Sequence, residues 1–325
     1  MLDSSRGYDL IGDVHGCALT LARLLEQLGY RQQAGVWRHP QRMALFVGDI
    51  IDRGPRIREA LEIVRRMVEA GSALCLMGNH EFNALAWTTP APAGSAQQYV
   101  REHTPRHERM IRETLTQFEQ HPQEWRDSLD WFYQLPLLLD AGRFRLVHAC
   151  WDPELVQALR ARHADARIDR QFVQQAGEHG SLEHRISERL LRGLDLRLPH
   201  GLTLTGHDGI TRAFFRTRFW EADDEPQTYG DVVFQPDALP EGIAGHPLSS
   251  EQKSRLLLYG RGEPLLFVGH YWRAGTPTPI RPNLACLDYS AVKYGKLVAY
   301  RLDDEAQIDP RKFVWVDVER PERRP

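Results

Sequence analysis

Residues 45–55, LFVGDIIDRGP, constrain this chain more than any other stretch. Leu45 to Val47 predict a buried strand, and Gly48 lets the backbone turn sharply where that strand ends. Asp49 then stands at the carboxyl end of a buried strand, the place where α/β proteins put ligands. An unpaired buried carboxylate is expensive, so Asp49 implies a nearby cation. Asp52 and Arg53 add an acid–base pair to the same loop.

Two more strand-to-loop junctions carry metal-ligating residue types. Tyr8 to Ile11 leads into GDVHG, with Asp13 and His15, and Ala73 to Met77 leads into GNHE, with Asn79, His80 and Glu81. Residues 18–28 place leucines at helical spacing and stop at Gly29, and Ile57 to Ala70 repeats that pattern with Ile57, Leu61, Val64 and Val68 on one face. Strand, helix, strand, helix, strand over the first eighty residues predicts a parallel sheet with helices packed on it.

The ordered triple GDVHG, GDIIDRG and GNHE resembles the calcineurin-like metallophosphoesterases, and within them the phosphoprotein phosphatase branch, which includes the bacterial symmetrical diadenosine tetraphosphatases. The DRG ending narrows the match to that branch. The likeness is clear over residues 8–87 and weaker near 144–152 and 265–300. It implies an α/β protein, a metallophosphoesterase-type four-layer αββα sandwich with helical and loop insertions. It further implies one domain over residues 1–325, with insertions near 88–135 and 205–263. In that arrangement the first half supplies the parallel strands, the later strands fill the second sheet, and the metals lie at one edge.

The resemblance also implies a residue for each task. Asp13 and His15 would hold a first divalent metal ion, Asp49 would bridge two, and Asn79, His148 and His270 would hold the second. Mn²⁺ is the expected ion, and these donors also suit Fe and Zn²⁺. His148 follows the apolar run 144–147, but its continuation, Ala-Cys-Trp, departs from the small residues usual in the family. His270 follows LLFV and precedes LACLDYSAVKYGKL, which resembles a tetraphosphatase segment, whereas His207 in TGHDG reads as a surface turn. His80 would be the general acid, kept protonated by Asp52. Arg53 would grip phosphoryl oxygens in its planar fork, with Asn79 also at the substrate. Arg189 and Arg192 are further basic candidates on a charged helix, read as a solvated face.

The implied reaction is hydrolysis of a phosphate monoester by direct attack of metal-bound hydroxide, with no phospho-enzyme. Glu81 after His80 tilts the substrate toward a serine/threonine-type phosphoprotein, and the LDYS stretch points to a symmetrical dinucleoside tetraphosphate instead. A small phosphorylated metabolite or nucleotide is a further partner class. A non-catalytic protein-binding relative would have lost site residues, and this chain keeps each matched position.

The remaining sequence bounds the setting. A net charge of −3 gives no global field for nucleic acid or an anionic membrane. No run approaches 18 apolar residues, and MLDSSRGYDL lacks a signal-peptide pattern. Cys17, Cys75, Cys150 and Cys286 stand far apart, as reduced buried thiols of a cytoplasmic protein would. Helices are predicted near 106–120 and 122–134, and a hairpin around Ala141-Gly142. Strands are predicted at AFFRTRFW, YGDVVF, 264–270, 284–290, 296–302 and 312–318, and the tail PERRP reads as a frayed end. Trp125, Trp131, Trp151 and Trp272 read as core.

Overall fold

The computed structural model describes residues 6–199, 201–205, 211–221, 224–234 and 239–319; His207 and the tail PERRP lie outside them. Strand β1 (Gly7–Ile11) runs parallel to β2 (Arg42–Phe46), which runs parallel to β3 (Ala73–Cys75). The crossovers contain α1 (Ala18–Gln27) and α2 (Ile57–Glu69), each burying the apolar stripe that its spacing predicts. Helix α3 (Asn79–Thr88) follows β3, and α4 (Pro105–Phe118) and α5 (Pro122–Phe132) follow a long loop. Proline at the first position of both α4 and α5 marks their starts.

A second sheet is built from the hairpin β4 (Leu138–Asp140) and β5 (Phe144–Val147), then β6 (Leu265–Val268) and β7 (Leu284–Cys286). Its order is β7-β6-β5-β4, with β6 parallel to both neighbours. Between the two halves of this sheet come α6 (Pro153–Arg162), α7 (Arg170–Ala176) and α8 (Leu182–Arg192). Period-two alternation makes the sandwich. Leu10, Leu45, Val47 and Val298 meet Phe144, Leu146, Leu265 and Phe267 in one buried layer between the sheets. Their alternate neighbours Ile11, Phe46, Leu266 and Val268 point the other way, into the cluster that holds buried leucines of α1, α6 and α8.

Three sequence expectations are corrected. The later strands fill the second sheet only in part: β4 to β7 do, but β8 (Asp288–Tyr289), β9 (Lys296–Leu302) and β10 (Phe313–Asp317) join the first, where β9 pairs antiparallel with β1. Without β9, the apolar edge strand β1 would offer an open ladder. Residues 284–290 are not one strand but two, β7 in the second sheet and β8 in the first, so the chain crosses between sheets at Leu287. YGDVVF is not a strand either. The Thr228 and Asp231 side chains cap each other's backbone and start a helical turn, Tyr229–Val232.

The segment beyond α8 forms a small unit with its own apolar cluster of Leu196, Leu198, Phe215, Tyr229 and Val232. Phe214–Arg216 pairs antiparallel with Asp195–Arg197 there. The hairpin Arg31–Gln33 with Val36–Arg38 has no counterpart among the sequence expectations, because its turn residues Ala34 and Gly35, both at positive φ, lack the usual Asn-Gly signal.

Candidate metal centre

Three loops at the carboxyl ends of β1, β2 and β3 converge here, and glycine makes the approach possible. Gly48 has φ +105, and a Cβ on it would lie 2.4 Å from the Gly78 nitrogen; a Cβ on Gly78 would lie 2.2 Å from Asp49 Oδ1. Glu81, fully buried, braces the two loops. Its Oε2 accepts from the backbone N–H groups of Asp49 and Gly78 (both 2.9 Å), and its Oε1 from those of Ile50 (2.8 Å) and Ile51 (3.2 Å). His15, Asp49, Asp52, Arg53 and His270 all sit at positive φ, a conformation that costs about 1–3 kcal/mol per non-glycine residue and that the surrounding contacts must hold.

Asp49 is the hub. Its Oδ1 accepts from the His80 backbone N–H at 2.9 Å. Its Oδ2 is ringed by His148 Nε2 at 3.3 Å, His15 Nε2 at 3.6 Å and His80 Nε2 at 3.9 Å. His15 Nδ1 donates to the Ile51 carbonyl (2.8 Å) and His148 Nδ1 to the Val47 carbonyl (2.9 Å), so both rings turn Nε2 inward. Asn79 Oδ1 lies 3.0 Å from His148 Nε2 and 2.7 Å from His270 Nδ1, which brings His270 to the same cluster. The His270 backbone N–H donates to Asp13 Oδ2 at 3.2 Å, while Asp13 Oδ1 is buried with no hydrogen-bond partner.

The electrostatics are those of a site built around positive charge. Burial, then Asp288, push the Asp13 carboxyl well above its ordinary value. Burial also works against Asp49, but His148, His80 and His15 outweigh it and hold that carboxylate well below the usual range. Burial lowers His148, yet Asp49 and Asp13 overcome it and lift the imidazole to about 10. Two groups of donor atoms, His15–Asp49–His80 and Asp49–His148–His270, each fall within 4.8 Å of one another. An orphaned buried carboxylate oxygen beside imidazole and amide-oxygen donors fits divalent cations of the Mn²⁺, Fe or Zn²⁺ kind.

His80 is set apart from the other rings. Its Nδ1 meets Asp52 Oδ2 at 2.5 Å, and Arg53 Nη2 donates to its Nε2 at 3.1 Å, a cation where a further metal ion would have to approach. Asp52 is held in turn by Thr114 of α4, whose hydroxyl accepts from the Asp52 backbone N–H and donates to Asp52 Oδ1. In the substrate-free site, burial opposes the protonation of His80 that Asp52 is expected to maintain. Burial, with Arg53 adding to it, pushes His80 down to about 3 despite Asp49, while burial lifts Asp52 to about 7. With Arg53 donating to Nε2, the neutral ring carries its hydrogen on Nδ1 and donates it to Asp52 Oδ2.

The structure also adds residues that the sequence does not point to. Thr114 and Gln117 bring the predicted insertion against the DRG loop, with Gln117 Nε2 donating to the Gly54 carbonyl at 3.0 Å. Asp288, 8% exposed, is the acid of the LDYS stretch; its charge bears on Asp13. Arg216 Nη1 donates to His270 Nε2 at 2.6 Å. Arg192 does not lie on a solvated face: it turns toward α3 and donates to Asn83, whereas Arg189 stays 3.6 Å from Asp152. Trp131 and Trp151 are buried, Trp125 is half-buried against Phe118, and Trp272 lies under Lys293 Nζ at 4.9 Å. All four cysteines are free and buried, and among the described residues no helix is long and apolar enough to cross a membrane.

Comparison with known proteins bears on this geometry. The family model for calcineurin-like phosphoesterases matches residues 8–271. A bis(5'-nucleosyl)-tetraphosphatase PrpE (asymmetrical) of Halalkalibacterium halodurans is 45% identical over 74 residues, 22% of this chain and 30% of that protein. A relative of the same name from a Geobacillus species is 44% identical over 73 residues, again 22% and 30%. The chain thus spans under a third of the length of the curated relatives it matches. Among solved structures, a Saccharomyces cerevisiae protein serine/threonine phosphatase with similarity to human phosphatase PP5 aligns with TM-score 0.50 and 14% identity, over 99% of this chain and 82% of that one. A putative diadenosine tetraphosphatase aligns over 99% and 97% with TM-score 0.46 and 16% identity.

Proposed function

The chain belongs to the calcineurin-like phosphoesterase family, and from that premise we propose that it is a metal-dependent phosphohydrolase whose favoured substrate is a nucleoside polyphosphate. The observation that carries this reading is the carboxylate of Asp49 inside a ring of histidines, with the His80–Asp52 pair and the exposed Arg53 beside it. Asp13, His15, Asp49, Asn79, His148 and His270 would hold two divalent cations. Such ions, when bound, supply positive charge at the phosphoryl oxygens and lower the pKa of a water to about 7.

The chain's own residues do the rest. Arg53 presents its fork to two phosphoryl oxygens and orients the ester beside His80. As Arg53 turns from His80 Nε2 to the phosphoryl oxygens, the phosphate dianion stabilises the imidazolium and Nε2 takes up a proton from solvent. His80 Nε2 then delivers it to the departing oxygen, and Asp52 holds the ring in place throughout.

Glu81 tilts the sequence reading toward a phosphoprotein, but all four of its backbone contacts are structural braces that carry no information about a substrate. Two observations favour the nucleotide: Asp288 brings the tetraphosphatase-like LDYS stretch into the site, and the curated relatives are named tetraphosphatases. A serine/threonine phosphoprotein is the second reading, the one the motif order itself suggests. The deciding experiment is turnover of metal-stripped protein, restored with Mn²⁺, on diadenosine tetraphosphate, a phosphoserine peptide and an aryl phosphate. ADP as the sole product means symmetrical cleavage, and ATP with AMP means asymmetrical cleavage. Turnover of the peptide without the dinucleotide moves the reading to phosphoproteins. Silence on all three with metal bound refutes the function.

A further inference from the structure

A second cationic node lies one helical turn beyond the metal centre. Asn83 follows Asn79 by four residues and His80 by three, so it shares their face of α3, about 5–6 Å further along. Its Oδ1 accepts from Arg101 Nη1 at 2.9 Å and from Arg192 Nη2. Arg101 comes from the loop after α3 and Arg192 from the last turn of α8, so two distant segments deliver two guanidinium groups to one neutral oxygen.

The charge there is incompletely balanced. Arg192 pairs with Glu188 at 2.5 Å. The other contact of Arg101 is the Met110 sulfur at 3.5 Å, and among the described residues no carboxylate forms an ion pair with it. Burial, and next the charge of Arg192, push Arg101 down to about 10. The fields of both cations reach the reaction site, since Arg101 opposes protonation of His80 and Arg192 that of His270.

The loop that carries Arg101 is also held in place. The Arg101 backbone N–H donates to the Ala86 carbonyl at 3.0 Å and that of Val100 to Thr89 at 2.9 Å. His103 is stacked on Trp87 and on Tyr99 at ring-centroid distances of 3.6 and 4.4 Å. A half-buried guanidinium pair with one carboxylate, Glu188, for two cations is costly for a fold, and its planar forks suit phosphate oxygens.

We propose that Arg101 and Arg192, with Asn83 between them, form a second anion subsite that holds a phosphate group of the substrate other than the one being cleaved. The inference rests on the phosphohydrolase reading and narrows the substrate to molecules with linked phosphates. A phosphoserine peptide has no group to fill the subsite.

The test uses the full chain, metal-stripped, titrated with inorganic tripolyphosphate by calorimetry. Arg101→Gln and Arg192→Gln should each weaken binding by about tenfold or more, the scale of one charge-assisted hydrogen bond. Arg101→Lys, which keeps the charge but not the fork, should fall between them and the wild type. It also carries the comparison should a glutamine variant fail to keep the wild-type melting temperature. In Mn²⁺-restored protein, the same substitutions should lower kcat/KM for diadenosine tetraphosphate about tenfold more than for an aryl phosphate. Unchanged tripolyphosphate binding, or equal losses on both substrates, overturns the proposal. Because the titration needs no turnover, a protein silent on every substrate would refute the hydrolase reading and leave the subsite to be judged by calorimetry.

Discussion

Replacing Asp52 by asparagine should make the metal-free protein relatively more stable as the pH rises, while it damages catalysis. Asp52 is 2% exposed, and burial lifts its pKa from 3.8 to about 7, against the opposing hydrogen bond from Thr114. A folded-state pKa raised above the unfolded value means that the native state binds the extra proton between the two. The stability tied to that proton is present below about pH 4 and is lost as the pH climbs through about 7. At about 1.4 kcal/mol per pH unit, the wild type should lose about 3 kcal/mol at this residue between about pH 4.5 and pH 7.5. Asparagine does not titrate, so Asp52→Asn is spared that loss. The assay is urea unfolding of both chelator-stripped proteins across this range, followed by far-UV circular dichroism. The difference in unfolding free energy should shift toward the variant by about 2–4 kcal/mol with rising pH. Weaker hydrogen bonding of the amide to Thr114 and His80 would offset the whole curve and leave its slope intact. A pH-independent difference would refute the claim that a buried, proton-holding carboxylate sits beside His80. Mn²⁺-restored turnover should fall in the same variant, because His80 loses the carboxylate that orients its ring and favours its protonated form.

Other perturbations separate the roles within the site. His80→Ala should lower kcat on alkyl phosphates by about 10²–10⁴ and much less on nitrophenyl phosphate, with bound metal unchanged by atomic emission; equal loss of metal would make His80 a ligand. Glu81→Ala strips four buried N–H groups of their acceptor. It should cost about 3 kcal/mol or more in urea unfolding, and a smaller loss would mean that the loops brace themselves. His148→Ala should weaken Mn²⁺ binding by more than about tenfold in calorimetry, with wild-type affinity as the refuting result.

Much of the fold is local and therefore legible in the sequence. Leucine spacing over residues 18–28, the apolar run Leu45 to Val47, and the prolines that open α4 and α5 are properties of a few neighbouring residues. The three motif loops are readable for the same reason, since each is a short apolar run, a glycine and a polar pair. Features that depend on partners far along the chain are not. KLVAYRL has the residue pattern of a strand, but whether it covers β1 or extends the other sheet depends on which edge is exposed. YGDVVF has the apolar and aromatic residues of a strand, and a side-chain capping box outweighs that pattern.

The site divides along the same line. The identities of Asp13, His15, Asp49, Asn79, His80, His148 and His270 as polar residues at strand ends follow from covalent order and hydropathy. Their convergence around one carboxylate does not, because contacts such as that between Asp13 and His270 join residues 257 apart. Nor could order along the chain separate Arg192, which reaches Asn83, from Arg189, which stays by Asp152; that depends on which face of α8 meets α3. Burial is a property of the assembled molecule too. It lifts Asp52 to about 7 and lowers His80 to about 3, opposing the protonation of His80 that a neighbouring carboxylate alone would favour. Short-range pattern specifies which groups are available, and the long-range packing of two sheets fixes their distances and their dielectric surroundings, from which their chemistry follows.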